Sequence, residues 1–132
     1  MRFSRLHTAV AVSALGAAIC TVGSPAQAAT ESASVNCVVY TNEPKYNSST
    51  GNIIATGSVS CPSKVAGMTL VVDVTRDGLR VGSTEKSGSN ISYLSDTALA
   101  TNRSGSQNWC TEVTAYWSGG NVLSGPPYCK NW

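Results

Sequence analysis

Residues 68–81 read Met-Thr-Leu-Val-Val-Asp-Val-Thr-Arg-Asp-Gly-Leu-Arg-Val, and this stretch decides the fold class. Apolar residues occupy every second position from Met68 to Val74, which is the period of a strand with one buried face. Asp77 and Gly78 tolerate the positive φ angles of a type I′ turn, so the chain is expected to return at once as a second strand. The segment therefore predicts an antiparallel β-hairpin.

Alternation of this kind recurs along the chain, broken by Ser-, Thr-, Gly- and Asn-rich clusters at roughly ten-residue intervals. No helical period appears. We predict an all-β fold, a single small antiparallel β-sandwich of the immunoglobulin-like kind with about seven strands and two disulfides. The polar segment 82–90 is expected to be mostly loop. The expected strands are 32–40, 52–61, 68–76, 79–86, 91–100, 107–117 and 122–130.

The first 28 residues have the three-part layout of a secretory signal peptide. Basic residues precede an apolar run at 9–19, and a small-residue cleavage signal, Ala-Gln-Ala, stands at 26–28. Residues 1–28 are therefore expected to be removed. Residues 29–132 are expected to form one secreted, extracellular domain.

The charges of the chain argue against two classes of partner. Two of the nine basic residues lie in the predicted signal peptide, so seven basic and seven acidic residues remain in 29–132. Balanced, scattered charges lack the electrostatic footprint of a nucleic-acid-binding protein. They also give little attraction to an anionic membrane surface. We expect neither nucleic acid nor a membrane as a partner.

Four cysteines remain after the signal peptide, and an even number outside the cell predicts disulfides. Spacing alone allows three pairings, and bridges that join two sheets are the commoner arrangement in sandwiches. Hairpin register favours sequential pairing here. A four-residue loop at 118–121 places the last two cysteines opposite each other, and a five-residue loop at 47–51 does so for the first two. The cysteines are Cys37, Cys61, Cys110 and Cys129.

Few side chains in the predicted domain offer catalytic chemistry. The one histidine, His7, lies in the signal peptide, so no imidazole remains as general base or metal ligand. Oxidised cysteines supply no thiolate for catalysis or zinc. A hydrolase would have to use a carboxylate pair. The candidates for it are Asp73, Asp77, Asp96 and Glu112. We expect these to be solvated or turn residues, and we predict no enzyme activity, no metal and no cofactor.

Aromatic residues are concentrated in the last predicted hairpin and the tail. By parity Trp109 and Trp117 share one face, which we expect to lie in the core. The Cys110–Cys129 bridge is then expected on the outer face, whereas the bridge of the first two cysteines is buried. Exposed aromatic side chains supply large contact area at small entropic cost. The candidate binding surface is Tyr116, Tyr128 and Trp132.

An Ala-rich signal ending at 26–28, two predicted disulfides and few charges characterise the whole chain. In this layout it resembles small secreted two-disulfide β-sandwich proteins of high-GC Gram-positive bacteria. That group includes protein inhibitors, chromophore-binding apoproteins and adaptor subunits of umbrella-type toxin particles. The resemblance implies an extracellular binding protein and identifies no functional residue.

Three functions follow as hypotheses. The first is a non-enzymatic module that binds another extracellular protein through a strand edge, a loop or residues 29–34. The second is a carbohydrate or cell-wall binding module that uses the exposed aromatic residues of the last hairpin. The third is a carboxylate-dependent hydrolase. We favour the first, because a domain without histidine or free thiols is better suited to recognition than to catalysis.

Overall fold

The computed structural model describes residues 35–132, which fold into a seven-stranded antiparallel sheet. The predicted signal peptide and residues 29–34 lie outside the described residues. Residues 35–132 contain no helix, and therefore no helix that could cross a membrane. The all-β prediction is confirmed. The strands are β1 (Val38–Thr41), β2 (Lys45–Asn47), β3 (Asn52–Arg76), β4 (Leu79–Thr101), β5 (Asn108–Trp117), β6 (Asn121–Ser124) and β7 (Tyr128–Asn131).

Strands β3 and β4 form one long hairpin around a tight turn. Asp77 and Gly78 have φ angles of 50° and 81°, the signs that a type I′ turn requires, so the predicted turn is confirmed. The expected loop at 82–90 is wrong, because β4 continues through it and stays paired with β3. Small hydroxyl side chains satisfy one another across this ladder, as between Thr69 and Ser87 at 2.8 Å.

The long hairpin is interrupted near its middle, which divides the sheet into two halves. The β3–β4 register shifts between Ser60 and Val65. Before the shift β3 also pairs with β1 and β2, and after it with β5. We call the part with β1, β2, residues 52–60 and residues 93–101 the N-terminal half. The remaining strands, including residues 65–76, form the C-terminal half.

The two halves face each other across the core. Gly57 and Val72 belong to the same strand, yet a Cβ atom on Gly57 would lie 3.1 Å from the Val72 side chain. It would also lie 2.5 Å from the side chain of Val113 in β5. Strand β3 therefore folds back over itself, and all seven strands stay in a single hydrogen-bonded sheet. An immunoglobulin-like arrangement of two sheets stays a prediction.

Alternate residues of the strands fill the core, as the sequence pattern predicts. Trp109 is fully buried, and Trp117 is partly buried and packs against the core. The Trp117 indole N–H donates to the backbone carbonyl of Val35 at 3.1 Å, which ties β5 to the segment before β1. The prediction that both tryptophans face inward is confirmed. Other core residues include Ile53, Ala55, Val59, Leu70, Val72, Val74, Val113 and Ala115.

Both predicted disulfides are confirmed. Cys37 bonds to Cys61 and Cys110 bonds to Cys129, with Cα atoms 4.1 and 4.0 Å apart. The first bridge is buried at both ends. In the second, Cys110 is buried and Cys129 is exposed. The predicted contrast between an inner and an outer bridge is therefore confirmed.

The loops that were used to predict these pairings are each one residue shorter than expected. The observed loops are 48–51 and 118–120, which shifts β2 and β6 by one position. One extra residue in the connection between β1 and β2, and one in the connection between β6 and β7, restore the register at the cysteines. These connections contain Pro44 and Pro126-Pro127. Proline has no N–H to give to a ladder, so it is tolerated where pairing stops.

Candidate binding face

The edge of β4 that does not pair with β3 is partly covered, because residues 82–86 and residues 95–99 of this strand contact each other. Gly82 lies against the backbone carbonyl of Leu99, and any side chain at position 82 would collide with it. Lys86 Nζ donates to the backbone carbonyl of Ser95 at 3.1 Å. A strand from a partner would have to displace these contacts before it could pair with β4.

The opposite side of the fold is closed in a similar way. Gly125 lies against β1, where an added Cβ atom would be 2.5 Å from Thr41 Oγ1 and 3.2 Å from the Val39 side chain. Lys130 forms an ion pair with Glu43 at 2.6 Å, which joins the two halves of the sheet. These contacts favour the broad outer faces over the strand edges as surfaces for a partner.

The outer face of the N-terminal half presents two tyrosines with serines between them. Its first row is Val38, Ser60 and Tyr93, and its second row is Tyr40, Ser58 and Ser95. We call these six residues the tyrosine–serine face. Tyr40 is 52% and Tyr93 58% exposed. Neighbouring strands lie about 4.8 Å apart, so the tyrosines stand on the two outer strands and border a strip of hydroxyl groups.

The tyrosine–serine face carries no charged residue. The rows beyond it continue with Thr56 and Thr97, whose hydroxyl oxygens are 3.1 Å apart, and then with Ile54 and Leu99. Charged residues border the face: Glu43 and Lys45 lie beside Thr56 and Ile54, and Lys86 reaches the backbone carbonyl of Ser95. The centres of protein interfaces are depleted in charge and enriched in tyrosine. Serine beside tyrosine is also typical of paratopes, where it supplies adaptable hydrogen bonds.

A depression of about 520 Å³ opens beside this face, where the chain between β1 and β2 leaves the ladder. Glu43 lines it and is held in place by its ion pair with Lys130. The depression offers room for a side chain of a partner that covers the face. Its other lining residues are Asn42, Lys45, Ile54 and Thr56.

The outer face of the C-terminal half is acidic. Asp73 in β3 lies directly opposite Glu112 in β5. Arg80 Nη1 lies 3.5 Å from the Asp73 carboxylate, and the Thr75 hydroxyl donates to Glu112 at 3.4 Å. Of the four candidate catalytic carboxylates, these two are brought together. Neither of them lines the depression beside β2 or the groove that Gly67 and Tyr116 border.

The other two candidate carboxylates take part in local structure. Asp77 accepts the backbone N–H of Asn108 at 2.9 Å, which fastens the β3–β4 turn to β5. Asp96 accepts the Thr84 hydroxyl at 2.7 Å. Each carboxylate has its own partner, so the structure does not join them to Asp73 in one site.

The three predicted surface aromatics do not share one surface. Tyr116 and Tyr128 are 47% and 50% exposed. Tyr128 lies opposite Thr111, five positions along β5 from Tyr116, which corresponds to roughly 17 Å of strand. Trp132 is partly buried against the core, and Lys130 Nζ lies 5.4 Å from the centre of its ring. Tyr116 borders a shallow groove that it lines together with Gly67, Thr69 and Ser118.

Sequence reasoning missed the tyrosine–serine face, although its signal is present. Val38 and Tyr40 alternate with the inward-facing Cys37 and Val39, so parity alone assigns them outward. Tyr93 similarly precedes the buried Leu94. Large apolar or aromatic side chains at outward positions of several strands are the pattern that could have identified this face.

No family model matches the chain, and a comparison with curated proteins gives no match. Function is therefore inferred from the residues and their geometry. The resemblance to small secreted two-disulfide proteins stays a prediction.

Proposed function

We propose that this protein is a secreted, non-enzymatic binding module that engages another extracellular protein through its tyrosine–serine face, as an adaptor or an inhibitor would. The observation that carries the proposal is the exposure of Tyr40 and Tyr93 on a face without charge. The two disulfides support an extracellular setting, where such bonds persist.

The energetics of recognition support this use of the face. Tyrosine covers a large area with few rotatable bonds, and it is enriched among residues whose truncation costs about 2 kcal/mol or more of binding free energy. The hydroxyl groups of the half-buried Ser58 and Ser60 can replace hydrogen bonds to water with hydrogen bonds to a partner. Because the contacts of β4 with itself and of Gly125 with β1 hinder strand pairing at those places, we expect a partner to rest flat on the face.

The proposal is tested by recovering the tagged protein from the medium of the cells that produce it. We expect the wild type to co-purify with a defined secreted protein in stoichiometric amount, which mass spectrometry identifies. Tyr40→Ala and Tyr93→Ala should each weaken binding of that partner at least tenfold in calorimetry. Ser58→Glu places a charge at the centre of the face and should abolish binding.

Tyr128→Ala is the matched control, because Tyr128 has nearly the same exposure but lies in the C-terminal half. It should bind the partner with unchanged affinity. Circular dichroism and thermal melting verify that each variant is folded. Recovery of no partner, or a partner that binds Tyr40→Ala and Ser58→Glu as tightly as the wild type, contradicts the proposal.

A further inference from the structure

A second surface lies on the C-terminal half, at the end of the sheet nearest the β5–β6 turn. It is a shallow groove of about 450 Å³. Tyr116, Thr69 and Ser87 form one row across three strands, and Gly67 pairs with Ser89 in the next row. The groove is lined by Gly67, Met68, Thr69, Ser87, Gly88, Ser89, Tyr116, Trp117 and Ser118.

The groove exists because position 67 has no side chain. Ser118 bonds to the backbone of Gly67 twice, accepting its N–H at 2.6 Å and donating to its carbonyl at 3.1 Å. A Cβ atom on Gly67 would meet only Ser118 Oγ, at 3.5 Å, which is ordinary contact. A Cβ atom at position 67 therefore fits the floor of the groove, and we expect a branched side chain there to extend into the groove.

The chemistry of the lining selects a class of ligand. None of its nine residues carries a charge, so a charged ligand would lose hydration without gaining a counter-charge. The hydroxyls of Thr69 and Ser87 share one hydrogen bond, which uses one of their two protons and leaves the other free to donate. The ring of Tyr116, 47% exposed, stands beside this hydroxyl row.

We infer that this groove binds a neutral sugar ring of an extracellular polysaccharide, independently of the tyrosine–serine face. A pyranose has an apolar C–H face, which suits the Tyr116 ring, and a rim of hydroxyl groups, which suits Thr69, Ser87 and Ser89. A peptide is less well matched, because six of the nine lining residues are Gly, Ser or Thr and because the adjoining part of β4 contacts its own strand instead of offering a free edge.

The test is titration of the ¹⁵N-labelled protein with cellohexaose, hexa-N-acetylchitohexaose and maltohexaose, followed by NMR. At least one of these neutral oligosaccharides should shift the amides of Gly67, Thr69 and Ser87. Tyr116→Ala should lower the affinity at least tenfold, whereas Tyr116→Phe should stay within about threefold of the wild type. Gly67→Val should abolish binding while it leaves the remaining amide spectrum intact.

Two controls separate this site from the rest of the molecule. Tyr128→Ala and Tyr40→Ala should bind the oligosaccharide like the wild type, and Tyr116→Ala should retain the protein partner of the tyrosine–serine face. The inference is overturned if none of the oligosaccharides shifts the groove amides. It is also overturned if Tyr116→Ala binds them normally, or if only an uncharged hexapeptide gives a response there.

Discussion

The two halves of the sheet share strands β3 and β4, yet their outer faces differ in charge. The N-terminal half exposes Tyr40 and Tyr93 around serines without a charge. The outer face of the C-terminal half carries Glu85, Glu112 and the ion pair of Asp73 with Arg80, and Tyr116 stands farther along the same face. A solvated face needs charge to stay soluble, and exposed tyrosines contribute little to folding. The difference in charge supports the proposal that the N-terminal half contacts a partner.

The two disulfides also differ between the halves. Each closes a hairpin within one half, with sequence separations of 24 and 19 residues. The chain-entropy model gives nearly equal stabilisation for loops of these sizes, about 3 kcal/mol each. The bridges differ in burial, since Cys37–Cys61 lies in the core and Cys129 is exposed.

The largest expected effect is the loss of the inner bridge. Cys37→Ala with Cys61→Ala should lower the free energy of unfolding by about 4 kcal/mol, because packing around the sulfurs is lost together with the cross-link. Cys110→Ala with Cys129→Ala should cost about 3 kcal/mol. Urea denaturation measures both values. A larger loss of unfolding free energy without Cys110–Cys129 than without Cys37–Cys61 would contradict the proposed difference between the two bridges.

The stacking of the halves is tested at Gly57. Gly57→Ala should destabilise the protein by about 2 kcal/mol, because its Cβ would press on Val72 and Val113. Adding Val113→Ala makes room, so the double variant should be more stable than the sum of the single losses predicts. Thermal and urea unfolding of Gly57→Ala, Val113→Ala and the double variant give the coupling free energy of this double-mutant cycle. Strict additivity would show that the two halves do not meet at this point.

The smallest expected effect concerns the acidic face. Like charges directly opposite in a ladder are destabilising, so Glu112→Gln should raise the free energy of unfolding by about 0.5 kcal/mol. The gain should fall in high salt. Glu85→Gln is the matched control, since Glu85 lies opposite Val71, and it should change stability less. A loss of stability in Glu112→Gln would mean that its bond from Thr75 outweighs the repulsion.

Much of the fold could be predicted because alternation and turn chemistry are local properties. The period-two pattern assigned Trp109 to the core, and Asp77-Gly78 marked the turn correctly. The error at 82–90 arose because polarity was interpreted as loop. Cross-strand hydroxyl bonds such as Thr69–Ser87 show why a polar strand is stable there.

The candidate sites could be predicted only in part, because a surface is made by residues distant in sequence. Tyr40 and Tyr93 are outward by parity, but their common face depends on both strands pairing with β3. Tyr116 was identified from the sequence. Its separation from Tyr128, and the groove above Gly67, follow from strand register and from backbone contacts that no local pattern encodes.

The sequence by itself determined the all-β class and the inward faces of the strands, because side-chain alternation depends on neighbours along the chain. Both disulfide pairings were predicted correctly, but the structure decided the register that makes them, since each predicted loop is one residue longer than the observed one. Only the tertiary structure decided that the sheet folds across itself, that the two parts of β4 contact each other and that six uncharged residues share one outer face. Those features depend on contacts such as Gly57 with Val113 and Lys86 with Ser95. Such contacts form between segments far apart in sequence, where packing rather than local preference sets the outcome.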